Sequence, residues 1–131
     1  MSIPDPVSLI VVLLKADTDV AALVSDHVYG GGLPKGLEMP QAAVVVSAAG
    51  GPGRAGSEGW RRNRIDTTCY GTTLHESWQL HLAVREALET LAPADGLKEA
   101  HTISDGANAI DPVELWPCAY ASYLVLSTTT A

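Results

Sequence analysis

Residues 60 to 91 constrain the fold more than any other stretch. Trp60 to Tyr70 alternates as a strand does: Ile65, Thr67 and Cys69 share one face, and Arg64, Asp66, Thr68 and Tyr70 share the other. Its β-branched and aromatic content supports an extended backbone. Gly71 breaks the alternation. Thr73 with Glu76 three residues later predicts a capping box, in which the hydroxyl takes an orphan amide and the carboxylate reaches back to the cap. Ser77, Leu80, His81, Val84, Ala87, Leu88 and Leu91 then recur at helical spacing as one apolar stripe, and Pro93 ends it. A strand delivered straight into an amphipathic helix is a packing unit. The helix buries its stripe against the sheet to which its own strand belongs, so the core is expected there.

The rest of the chain is read around that unit. Asp5-Pro6 opens a helix, with Asp5 as cap and Pro6 at the first helical position, and Leu9, Ile10, Leu13 and Leu14 on its buried side. It ends near Lys15-Ala16, and Asp17 or Thr18 caps a second short helix over 19–24. Val28-Tyr29 is a brief strand cut off by three glycines, and a loop with Pro34, Gly36 and Pro40 follows. Gln41 to Ala48 is a strand, continuously apolar over 42–46 and so expected to be buried on both faces. The glycine-rich stretch 49–59 joins it to the strand at Trp60 as an antiparallel hairpin with a long, mobile tip. Leu97 to Ser104 is a further strand, 105–112 a loop, Ala119 to Ser127 the last strand and 128–131 a frayed tail. The expected architecture is α+β: one domain over residues 1–131, with a mostly antiparallel sheet of about four strands and two main helices on one face.

Composition narrows the function classes. Of 131 residues, 47 % are hydrophobic and 18 % charged, a folded rather than a disordered balance, and with 5 % aromatic and no Phe the core is aliphatic. The net charge of −7 argues against general nucleic-acid binding, since phosphate contacts need cations. Four of the eight basic residues, Arg54, Arg61, Arg62 and Arg64, nonetheless fall in one short stretch. They make either a solvated strand face or a contact surface for an acidic partner. Cys69 and Cys118 lie in predicted strands without a CxxC spacing, and the start Met1-Ser2-Ile3-Pro4-Asp5 lacks the basic region of a signal peptide. Reduced, buried thiols in a cytosolic protein are therefore expected. No apolar run is long enough to span a bilayer, so no membrane partner is expected.

Motifs that look chemical lack their context. Gly51-Pro52-Gly53-Arg54-Ala55-Gly56 matches G-x-G-x-x-G, but a strand follows where the dinucleotide fingerprint needs a helix, and Pro52 removes an amide. Ser57 faintly resembles a nucleophile elbow, which also needs a following helix. His75 and His81 are six apart, about 120° around a helix of 3.6 residues per turn, so one site can use only one of them. No cofactor, metal or catalytic group is expected. Trp78 lies off the helical stripe, either packed at the helix flank or on a neighbouring subunit.

Taken together, the order of segments resembles the tail-terminator or tail-completion proteins of long-tailed bacteriophages, small neck proteins once known as a domain of unknown function. The resemblance is carried by the opening helix followed by Leu14-Lys15-Ala16-Asp17 and 19–24, and by Leu33-Pro34 and Met39-Pro40 leading into 43–47. Ile65 to Tyr70 before the helix with Leu80, Val84 and Leu88, and the late Tyr120 to Leu126 strand, complete it. It spans most of the chain through order and spacing; residues 97–117 depart from it most, and the pattern brings no catalytic residues. It implies a structural virion protein of the tail-neck region, assembled in the host cytoplasm. Such a protein forms a ring, usually hexameric, on the tail tube, stops tube polymerisation and presents a surface to the head-neck connector or stopper. The implied partners are further copies, the tube protein and the connector, with DNA passing through the ring but not read by sequence. Arg54, Arg61, Arg62, Arg64 and Trp78 are the candidate subunit or tube interface. The alternative from another class is a small homo-oligomeric ligand-binding or enzyme domain of α+β type, with its pocket between helix and sheet.

Overall fold

The structure, a computed structural model, describes residues 5–50, 53–54, 60–93, 96–110 and 114–128. The chain opens with α1 (Pro6–Ala16), and the Asp5 carboxylate caps it by accepting from the Val7 amide at 3.0 Å and the Ser8 hydroxyl at 2.9 Å. Asp17 ends α1 and caps α2 (Thr18–Val24), accepting from the Val20 amide at 3.0 Å. The strands β1 (Val28–Gly30), β2 (Ala43–Ala48), β3 (Gly53–Arg54) and β4 (Trp60–Tyr70) follow. Then come α3 (Leu74–Glu89), β5 (Leu97–Ile110) and β6 (Pro117–Thr128).

The fold class is α+β, as expected, with more strands than the roughly four expected. Among the described residues the sheet has six strands in the order β1-β2-β4-β6-β5, with β3 on β4, and three helices accompany it. It is mostly antiparallel, as expected, with one parallel pair, since β1 runs parallel to β2 with Val28 opposite Val44. Parallel neighbours need a crossover; residues 31–42 are that crossover, expected as a loop as far as Pro40 and as strand at 41–42. The expected hairpin of β2 and β4 is present, in register from Ala43↔Tyr70 to Ala48↔Ile65. Its ladder continues past β2: the Ala49 amide donates to Arg64 O at 2.8 Å, and Gly53 and Arg54 pair with Arg62 and Arg61. The expected mobile tip falls largely on residues 51–52 and 55–59, outside the described residues.

Two further expectations are corrected. Residues 105–110 are not a loop but the second half of β5. Register shifts between Thr102 and Ser104 and between Ser104 and Ala107 absorb the turn-forming residues, including Gly106 at φ 96°. Glycine signals there mark a bulge, not an end. In the capping box, Thr73 accepts from the Glu76 amide at 3.0 Å as predicted, but the Glu76 carboxylate reaches one residue further back, to the Thr72 amide at 2.9 Å and hydroxyl at 3.1 Å.

One face of the sheet carries the core. Ile65 and Cys69 of β4, Val44 and Val46 of β2, and Tyr123 and Val125 of β6 form one apolar cluster with Ile10, Leu14, Leu80, Val84 and Leu88 from the helices. The α3 stripe read from the sequence is the buried one, from Ser77 through Leu88, with Leu91 half-buried at its end. Residues 43–46 are buried on both faces, as their unbroken apolar run implies.

Candidate functional site

Arg61, Arg62 and Arg64 occupy the first half of β4, and β6 pairs with every residue of that strand, from Trp60↔Thr128 to Tyr70↔Cys118. The cations therefore sit within the sheet, not on a free arm. Alternation divides them. Arg61 is half-buried on the side of Ile65, towards the helices, whereas Arg62 is exposed on the opposite, helix-free face beside Arg64. Arg54 pairs through its backbone with Arg61; its side chain lies outside the described residues.

Arg64 is engaged within its own sheet. Its Nε lies 3.2 Å from Asp66 Oδ1 and its Nη2 donates to Ser122 Oγ at 3.1 Å, while the Ser122 hydroxyl donates to the same Asp66 oxygen at 2.7 Å. Cross-strand pairing of Asp66 with Ser122 brings the third group in. The Arg64–Asp66 half, two residues apart on one face, is visible in the sequence; Ser122, some 56 positions away, needs the register. Next to this group, Lys98 Nζ stands 5.4 Å from the Trp60 ring centroid, which extends the positive end of the sheet to β5. The sequence alone does not single out Lys98, since only the pairing through β6 brings it to Trp60.

Trp78 is half-buried against the core and tilted on His81, with ring centroids 4.8 Å apart. This is the flank packing that its place off the stripe allows. His75 is exposed and His81 fully buried, in keeping with their separation around α3. No group of three metal-ligating side chains occurs among the described residues. No described helix is long and apolar enough to cross a membrane. Gly53 and Arg54 of the glycine-rich motif are extended, and Ser57 lies outside the described residues.

The inner face is chemically quiet. Burial, with Cys118 nearby, pushes the Cys69 thiol far above its ordinary range, so it stays protonated and unreactive. Burial likewise, and then the neighbouring Cys69, pushes the Tyr123 hydroxyl up. The space between α3 and the sheet is filled by Leu80, Val84 and Leu88, each 0–1 % exposed. Open depressions among the described residues lie elsewhere. One, about 650 Å³, runs between the first turns of α1 and the ends of β1 and β2, lined by Val7, Val11, Val12, Gly30 and Ala48. Asp5 also lines it, with its carboxylate held by the helix cap. Another, about 400 Å³, lies among α2, β2 and the start of α3.

These features define a class by architecture: an α+β layer protein with helices on one face of a mixed sheet and charged contacts on the other. Among solved structures, the chain is similar to one in the "Virion of native gene transfer agent (GTA) particle", with a TM-score of 0.67 and 16 % identity, covering 95 % of this chain and 99 % of that one. The likeness is one of fold. No family model matches the chain, and no curated protein does.

Proposed function

We propose that this chain is a structural virion protein that forms a ring on the end of a phage tail tube, stops further tube polymerisation and joins the tail to the head-neck connector. The observation that carries the reading is the likeness to a virion chain along almost the whole length of both, 95 % of this chain and 99 % of that one. The order of segments in the sequence supports the same reading independently. A ring needs a heterologous contact whose rotation closes, six-fold in the family that the sequence resembles. Its partners are further copies, the tube protein and the connector, with DNA passing through the opening. The reading gives the chain no catalytic role and places it in the tail-neck region of the virion.

Electron microscopy of the purified protein with and without tail tubes tests this reading, together with tail lengths in particles made without it. The expected result is rings at tube ends, and over-long, headless tails when the protein is missing. Normal tails joined to heads in its absence would remove it from this role. The Gly-rich segment enters as part of the assembly contact. Shortening residues 50–58 to a tight turn is expected to leave a folded protein that caps tubes poorly.

A further inference from the structure

The end of the sheet opposite the basic one is unusually apolar. Gly71 donates to Pro117 O at 3.2 Å, Ile110 pairs with Pro117, and Trp116 meets Tyr70 edge to face, so these segments share one end with Ala43. The 400 Å³ depression extends the same end through Leu23, Thr73 and His75. Four large apolar side chains stand out from it: Leu23 (45 % exposed), Leu74 (39 %), Ile110 (53 %) and Leu115 (70 %). Exposed apolar groups clustered at one end mark an interaction surface. Leu115 carries a second mark. Its backbone is left-handed at φ 62°, a strained state for a leucine at a solvent-facing position. Asp26, with its side chain 88 % exposed, Glu76 and Glu114 rim the patch with negative charge.

Resting on the ring reading, we infer that this acid-rimmed apolar end receives the basic end of a second copy of the same chain. The occupant follows from charge complementarity within the molecule. Arg62 and Lys98 are exposed at the other end of the strands, beside the half-buried indole of Trp60, while Glu99 there faces His101 at 3.3 Å. Trp and Arg beside an apolar, acid-rimmed patch are the residue types that anchor interfaces. Because the two surfaces lie at opposite ends of the strands, the contact is heterologous: each copy both gives and receives. That is the type of contact a closed ring requires.

Complementary variants test this directly. Arg62→Gln with Lys98→Gln removes the giving end, and Leu115→Gly with Asp26→Lys removes the receiving end. Asp26→Lys alone serves as a second receiving-end variant that leaves the backbone at 115 untouched. Analytical ultracentrifugation across concentration at low salt is expected to show self-assembly of the parent, and each variant shifted to at least about ten-fold higher concentration, as loss of an interface anchor does. Equimolar mixing of the two defective proteins is expected to give a one-to-one dimer and nothing larger, since one intact end of each kind remains. A parent that stays monomeric at every concentration, variants that assemble like the parent, or a mixture that stays monomeric would each overturn the inference. If variants still form rings on tube ends, the head-to-tail assignment fails while the ring reading stands; if the parent forms none there, the ring reading itself fails.

Discussion

A β-carbon built on Gly106 would stand 2.8 Å from Nε2 of His81, so the bulge of β5 and the buried face of α3 are in contact at glycine distance. The Tyr120 carbonyl would be 2.9 Å away on another side, and the backbone there is left-handed at φ 96°. Gly106→Ala therefore combines overpacking, about 1–3 kcal/mol, with a backbone penalty of about 1–2 kcal/mol. Gly50 is also left-handed, at φ 83°, but a β-carbon there meets nothing within 4 Å. Gly50→Ala is expected to show the backbone penalty alone. Urea melts of both variants separate the two costs, and equal losses would mean that the His81 contact is slack.

Leu88 is fully buried in the cluster shared by α3, β4 and β6. Leu88→Ala is expected to destabilise the protein by about 2–5 kcal/mol, as large-to-small core changes do. An unchanged thermal midpoint would mean that the helix face is not the one seen here.

The protein is expected to lose stability in alkali. The folded state holds Cys69 and Tyr123 neutral, with values raised above their ordinary 9.0 and 10.0. A raised value favours the protonated form, so the contribution is intact below the unfolded value and declines as pH climbs past it. Above about pH 10 each group steepens the loss by about 1.4 kcal/mol per pH unit. Tyr123→Phe is expected to remove one such contribution. Denaturation measured between pH 8 and 11 should show parent and variant parallel at first and diverging above about pH 10; parallel curves throughout would contradict the burial of that hydroxyl.

Arg64 and Arg62 are expected to behave differently although they share a face. Arg64→Glu sets a carboxylate beside Asp66, now 3.2 Å from the guanidinium, and disturbs the sheet as well as any interface. The Arg64–Asp66 pair is half-exposed, so a double-mutant cycle should return a coupling below about 1 kcal/mol. Arg62→Glu should leave the melting curve in place and act on assembly alone. A loss of fold in Arg62→Glu would show that its exposed position is not a neutral one.

The parts that the sequence made legible were local. The 3.6-residue stripe of α3, the alternation of β4, the Asp5 and Asp17 caps and the unbroken run at 43–46 each carry their own periodicity or cap chemistry, and each is found where it was expected. What stayed hidden depends on pairing between distant segments. Nothing near Val28 says that it lies parallel to Val44, and nothing near Ser122 says that it completes a link between Arg64 and Asp66. Residues 105–110 misled because glycine and asparagine signal turns locally, while β6 holds them in a bulged strand. The charged stretch at 61–64 was legible as a group, but its division between two faces bears on function, because only Arg62 combines a cation with an outward, uncommitted position.

The place of β6 has a consequence for how the protein is made. It follows the other described strands in the chain, yet it lies between β4 and β5. Until it arrives, the nascent chain holds two separate pieces whose bare backbone edges face a gap one strand wide. Both halves of the basic end, Trp60 on one piece and Lys98 on the other, come together only when β6 fills that gap. A chain interrupted before residue 117 thus lacks the middle of its sheet, and the surface formed by these two residues does not exist to be recognised. On the head-to-tail contact inferred above, a copy without β6 in place would have no giving end to offer.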